Sequence, residues 1–321
     1  MKIEGIEYNH DFLIRKEEFF DTLIFIDNSF ENDKLKPSVW DYISDKSIDS
    51  FEINSTFLEK KVNGIFLYQI PNIKRLRILT IDFLQIDFNQ KSFLGLTHLC
   101  NNVNTEEIDF NNLKKLEEID LKWSNNRNGL FNCLSLRRIT LHGYKGQNLK
   151  EFLLLKNIEN LELISSSIGS IDGIENLNCL QKIELHFCPK LTSLFALSLL
   201  KKLEVVIISN LNSLNSLNFF NQLESLNCAV VRDCKKINSS DELLHLKNLT
   251  YLGVHNAGAL TSLKPIVNLK KIKRVTLGQT KILDGDVSPL LKLKSLAYIQ
   301  FADSRELNYK LVEIKTILNL T

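Results

Sequence analysis

The sequence predicts an α/β fold: a curved solenoid in which each turn adds one short strand to a parallel, concave sheet and returns through a short 3₁₀ or extended convex segment. Two observations predict it. In "LQKIELHFCPKLTSL", the apolar side chains Leu180, Ile183, Leu185, Cys188, Leu191 and Leu194 are spaced by three, two, three, three and three residues. A strand repeats every two residues and a helix about every 3.6, and neither alone gives that mixture. The same template then recurs along the chain. From Leu180, anchors follow at Leu203, Leu226, Leu249 and Ile272 in steps of 23, and at Leu296 after 24. Backwards they fall at Ile158 and Leu136 in steps of 22, then at Leu116, Leu96 and Leu76 in steps of 20.

Each part of the turn has a physical reason. Apolar pairs sit three and five residues after most anchors, as in Ile139 with Leu141, Leu161 with Leu163, Val206 with Ile208 and Val275 with Leu277. In a strand these side chains share one face, and those between them point the other way. So short a strand cannot bury its apolar face alone, and each turn needs a neighbour on both sides. Leu191, Leu194, Leu197 and Leu200 line the return path, which has room for single 3₁₀ turns rather than long helices.

A period of roughly 20 to 29 residues with L-x-x-L-x-L is the pattern of leucine-rich repeats. The segment "IENLELISSSIGSIDGIENLNCL" resembles the internalin-like class with repeats of about 22 residues. Ile158, Leu161, Leu163, Ile168, Ile171, Ile174, Leu177 and Leu180 carry the resemblance, with Ser166 where that family usually has Asn. It covers residues 76–321 and implies a leucine-rich repeat fold and a bacterial source, while fold alone does not fix an activity.

Residues 1–57 are rich in aromatics and lack the period, so they read as an N-terminal cap, leading to irregular first strands near Phe51–Ile53 and Ile65–Leu67. Residues 58–308 then form about 11–12 repeats, and 309–321 a closing C-terminal helix through Leu311, Ile314, Ile317 and Leu318.

Eight residues after its anchor, Cys188 stands where the chain leaves the strand and buried backbone groups need partners. Cys234 shares that column, with Asn104, Ser124, Ser166, Thr280 and Ser304 as hydrogen-bonding members and Leu211 and Ala257 as members that cannot hydrogen-bond. The six cysteines have no C-x-x-C spacing and no zinc-like His–Cys set, which suggests reduced structural thiols.

A net charge of +2 gives no reason to expect nucleic acid or an anionic membrane as partner. No apolar run approaches a membrane span and the start has no signal core, so the expectation is a cytoplasmic monomer without cofactor. Nucleotide-binding, metalloprotease and serine-hydrolase motifs are absent from the sequence. His142 and His186, with two strand spacings between them, would lie about 10 Å apart, too far to share a metal ion.

The functional expectation is therefore a non-enzymatic scaffold that grips a protein with the concave sheet. An immunity-type inhibitor that covers a toxin, or an enzyme with an unrecognised site, are the alternatives. The outward residues Trp123, His142, Glu162, Glu184, His186, Phe187, Arg232, Tyr251 and His255 mix large aromatics with charges, the composition of protein-binding hot spots. A column of lysines two before the anchors (Lys114, Lys156, Lys201, Lys247, Lys270, Lys294) reads as a solvated edge.

Overall fold

The computed structural model describes residues 6–18, 20–31, 34–54, 56–57, 64–79, 86–101, 108–124 and 127–320. Asn104 lies outside the described residues. The chain divides into two compact units, Met1–His142 and Gly143–Thr321. No helix among the described residues is long and apolar enough to cross a membrane.

The first unit begins with an antiparallel meander of β1 (Ile6–Tyr8), β2 (Phe12–Lys16) and β3 (Asp21–Phe25). A small hairpin, β4 (Phe30–Glu31) with β5 (Lys34–Leu35), leads into α1 (Pro37–Asp45). Pro37 opens that helix, where its missing N–H costs nothing, and Val39 and Ile43 bury one face at four-residue spacing. Next comes β6 (Ser50–Asn54), parallel to β3, and each later strand runs parallel to the one before: β7 (Arg75–Leu79), β8 (His98–Asn101), β9 (Glu118–Lys122) and β10 (Arg138–His142).

Strand register corrects one anchor. Phe51, Leu76, Leu99, Ile119 and Ile139 lie opposite one another across β6 to β10. Leu76 is therefore an inward strand residue, three after the fully buried Ile73, and the true anchor precedes Leu96 by 23 residues rather than 20. Both positions are apolar, so counting alone could not separate them. By the same register Ile48, Phe51 and Ile53 fill the template, and its first turn lies within 1–57. The strand expected near Ile65–Leu67 is instead part of a 3₁₀ segment, Gly64–Gln69, on the return path. Phe25, Phe51 and Phe66 pack ring to ring here, with Phe25–Phe51 stacked at 5.8 Å and Phe25–Phe66 edge-on at 5.0 Å.

The second unit contains β11 (Asn160–Ile164), β12 (Lys182–His186), β13 (Val205–Ser209), β14 (Cys228–Arg232), β15 (Tyr251–His255), β16 (Arg274–Gly278) and β17 (Tyr298–Phe301), each parallel to its neighbour. Ile183, Val206, Ala229, Leu252, Val275 and Ile299 form one inward row, and Leu185, Ile208, Val231, Val254, Leu277 and Phe301 the next. Burying one Leu or Ile side chain contributes about 1.5–3 kcal/mol, and the rows repeat that gain turn after turn.

The residue after each of β10 to β16 closes the corner with left-handed backbone: Gly143, Ser165, Phe187, Asn210, Asp233, Asn256 and Gln279 all have φ between 49° and 75°. Its amide extends the ladder by one bond, for example Phe187 N–H to the Ser209 carbonyl at 3.0 Å and Asp233 N–H to the His255 carbonyl at 2.8 Å. The return segments are single 3₁₀ turns such as Phe195–Leu199, Asn218–Gln222, Asp241–His245 and Lys264–Asn268. Each is opened by a serine hydroxyl that accepts a backbone N–H two residues on: Ser193, Ser216, Ser239 and Ser262, at 3.1–3.2 Å. Beyond β17, α2 (Leu311–Ile317) tucks the fully buried Ile314 inward.

Candidate binding face

Strand alternation leaves residues two, four and six after each anchor on the sheet's open face, and the corner residue at its edge. In the second unit β12 presents Lys182, Glu184 and His186, all half-buried, and Phe187 follows, 54% exposed. Glu162 stands directly opposite Glu184 on β11. His186 Nε2 lies 3.2 Å from Glu184 Oε2 and 3.8 Å from Glu162 Oε1, while its Nδ1 meets the Ser209 hydroxyl at 2.7 Å. Lys182 Nζ is 2.6 Å from the other oxygen of Glu184. The His186 hydrogen bond, with further help from Lys182, holds the Glu184 carboxyl down at about 2 against the opposing effect of burial.

Further along, His255 Nε2 meets Thr276 Oγ1 at 2.9 Å, and burial, with Arg232 nearby, pushes its pKa down. Gly278 makes room for this ring, because a Cβ there would stand 2.4 Å from His255 Nδ1. Arg232 at the end of β14 is exposed. Tyr251 is half-buried and flanks Arg274, whose guanidinium carbon lies 5.1 Å from the Tyr251 ring and 4.5 Å from Tyr298. This aromatic–cation–aromatic stack sits two residues after the anchors. The sequence reading chose Tyr251 but not Arg274, Tyr298 or Thr276, although all four stand on outward positions of the same template.

In the first unit His142 Nε2 contacts Asp120 Oδ1 at 2.9 Å. Trp123 is half-buried, with its ring 6.2 Å from Phe131 in a tilted contact. The open face here also has a depression of about 250 Å³, lined by Phe20, Arg75, Arg77, His98, Cys100 and Arg138 among others. Beside it Glu52 is fully buried, bonded by Arg15 at 2.6 Å and by Arg77 at 3.3 Å.

Three of the thiols, Cys133, Cys188 and Cys234, are buried. Burial pushes Cys188 and Cys234 each up to about 11, so both are protonated at neutral pH. The Cys188 thiol faces the His186 carbonyl at 3.5 Å, as the Thr280 hydroxyl faces that of Val254 at 2.8 Å and Ser166 that of Tyr144 at 2.8 Å. Leu211 and Ala257 interrupt the series with buried apolar side chains, and Ser304 is exposed.

No protein-family model and no curated protein matches the chain. Solved structures do. Internalin F of Listeria monocytogenes aligns over 88% of this chain and 87% of its own, with a TM-score of 0.56 and 18% identity. The functional domain of InlJ from the same organism, which includes a cysteine ladder, aligns over 80% of this chain with a TM-score of 0.55 and 20% identity. The chain spans 63% of that domain. These likenesses establish the fold, and its parallel strands, 3₁₀ returns and repeating inward rows make this chain an internalin-like leucine-rich repeat protein in architecture.

Proposed function

We propose that the chain is a non-enzymatic scaffold that binds a protein partner through the open face of its repeat sheet, with Phe187 as an anchor. Phe187 carries the reading. A bulky aromatic in left-handed backbone is strained, because its Cβ crowds the following carbonyl, and most of the column avoids that strain with Gly, Asn or Asp. A strained residue that also exposes an apolar ring to water stabilises neither the turn nor the core. Such outliers concentrate where a binding surface needs them. The same face carries Glu184 and His186 on its own strand, the exposed Arg232 two strands on and Tyr251 on the strand after that, the mixture of aromatic and charge found at interface hot spots. The lack of paired spacing among the six cysteines fits a reducing compartment, and a cytoplasmic location is part of this proposal.

The test is a comparative capture from lysate of the source cells. Wild type, Phe187→Asn and Leu199→Asn are used as bait, Leu199 being an exposed residue of a return segment. A partner held by wild type and Leu199→Asn but lost from Phe187→Asn is the expected result. A partner that is lost only from Leu199→Asn would move the binding surface to the return side and end this reading.

A further inference from the structure

We propose that Glu162, Glu184 and His186 form a binding site for a divalent transition-metal ion of the zinc class. This goes beyond the protein-binding reading and does not depend on it. Each residue can present one donor atom, and these atoms all lie within 4.8 Å of one another. Donors around a tetrahedral zinc, each about 2.1 Å from the ion, lie about 3.4 Å apart. The separations from His186 Nε2, 3.2 Å and 3.8 Å, already bracket that value. Strand register fixes the frame: Glu162 and Glu184 are direct cross-strand partners, and His186 stands on the same face two residues after Glu184.

The outer contacts point the same way. When His186 Nδ1–H donates to Ser209 Oγ, Nε2 is left with its lone pair aimed at two carboxylates. Three electron-rich atoms then converge, and the arrangement needs either a proton on Nε2 or a cation among them. Hydrogen bonds to the second ring nitrogen of a ligating histidine are the usual way a tautomer is fixed for a metal. Glu184 divides its oxygens similarly: Oε1 is taken by Lys182 at 2.6 Å, while Oε2 faces the cluster. All three ligand side chains keep 19–30% of their surface exposed, which leaves coordination positions open to water or to a donor atom of another molecule.

Two titrations of the full chain test the site: Zn²⁺ by calorimetry, and Co²⁺ by visible absorption, where bound cobalt shows ligand-field bands. One ion per chain with micromolar affinity is expected, weakened at least tenfold in both Glu162→Gln and His186→Ala. Both substitutions are at half-exposed positions, and circular dichroism confirms that the variants remain folded. Zinc held by thiols elsewhere would give the same affinity in wild type and Glu162→Gln, and that outcome overturns the assignment. So does an absence of binding at 100-micromolar-class ion concentrations. Because the test needs no protein partner, its failure leaves the capture experiment above untouched, and the converse also holds.

Discussion

Glu52 and Glu184 occupy the same place in the template, four residues after Ile48 and Leu180, and both stand between two inward apolar side chains. They have become different things. Glu52 in the first unit is fully buried and tied to Arg15, Arg77 and Asn54. Glu184 in the second unit keeps about a fifth of its side chain in water and shares its oxygens between Lys182 and His186. The template decides which face a residue takes, and the neighbours decide what it does there. In the first unit the meander lets Arg15 reach over β6, so charge on that face ties strands together. On β12 the cation beside Glu184 is Lys182 of its own strand, and the carboxylate keeps part of its surface in water.

This comparison can be broken in order of expected effect. The inward rows should be equivalent in the two units: Leu121→Ala and Leu185→Ala each remove a fully buried side chain and should each cost about 2–5 kcal/mol in urea unfolding. A large loss in only one of them would show that the units are not built alike. On the open face, Phe187→Ala should weaken the captured partner by about 2 kcal/mol, roughly thirtyfold by calorimetry, with little change in melting temperature. Arg15→Ala leaves a buried carboxylate with Arg77 and Asn54 only, and should cost about 2 kcal/mol, less than a wholly unpaired charge would. Glu184→Ala should cost below about 1 kcal/mol. Equal losses in these two variants would remove the distinction drawn between the two carboxylates.

Acid sharpens it further. The folded pKa of Glu184 lies below its ordinary value of 4.5, so its contribution is present above that pH and is lost as pH falls toward about 2. After allowance for solvent screening, wild type should exceed Glu184→Gln by about 0.5 kcal/mol at pH 6, and the gap should close between pH 4.5 and 2. In the opposite direction, Phe187→Asn should raise stability by up to about 1 kcal/mol, read as a higher melting temperature, because Asn tolerates left-handed backbone.

Most of the repeat architecture was legible from spacing, since inward burial imposes a period that composition cannot imitate. Leu185, Ile208 and Leu277 are where counting put them. Three features were not legible, each for a physical reason. Leu76 and Ile73 are interchangeable to a hydrophobic count, and only pairing with Leu99 tells them apart. The serines opening the return turns at Ser193, Ser216, Ser239 and Ser262 recur 13 residues after their anchors, but polar columns are easily taken for loop. Left-handed φ has no hydrophobic signature, so Phe187 read from sequence is only an outward aromatic; its strain is a fact of backbone geometry.

The corner column also bears on how this protein can drift. At most positions a random substitution is opposed by stability, so a residue can persist without being needed. At position 187 the slope runs the other way: Gly and Asn relieve the backbone, and a chain screened only for remaining folded should lose its phenylalanine early. A library varied at that one codon and passed through rounds of heat challenge, with no demand for binding, therefore reads out directly whether the ring is kept for the fold or for something the fold serves.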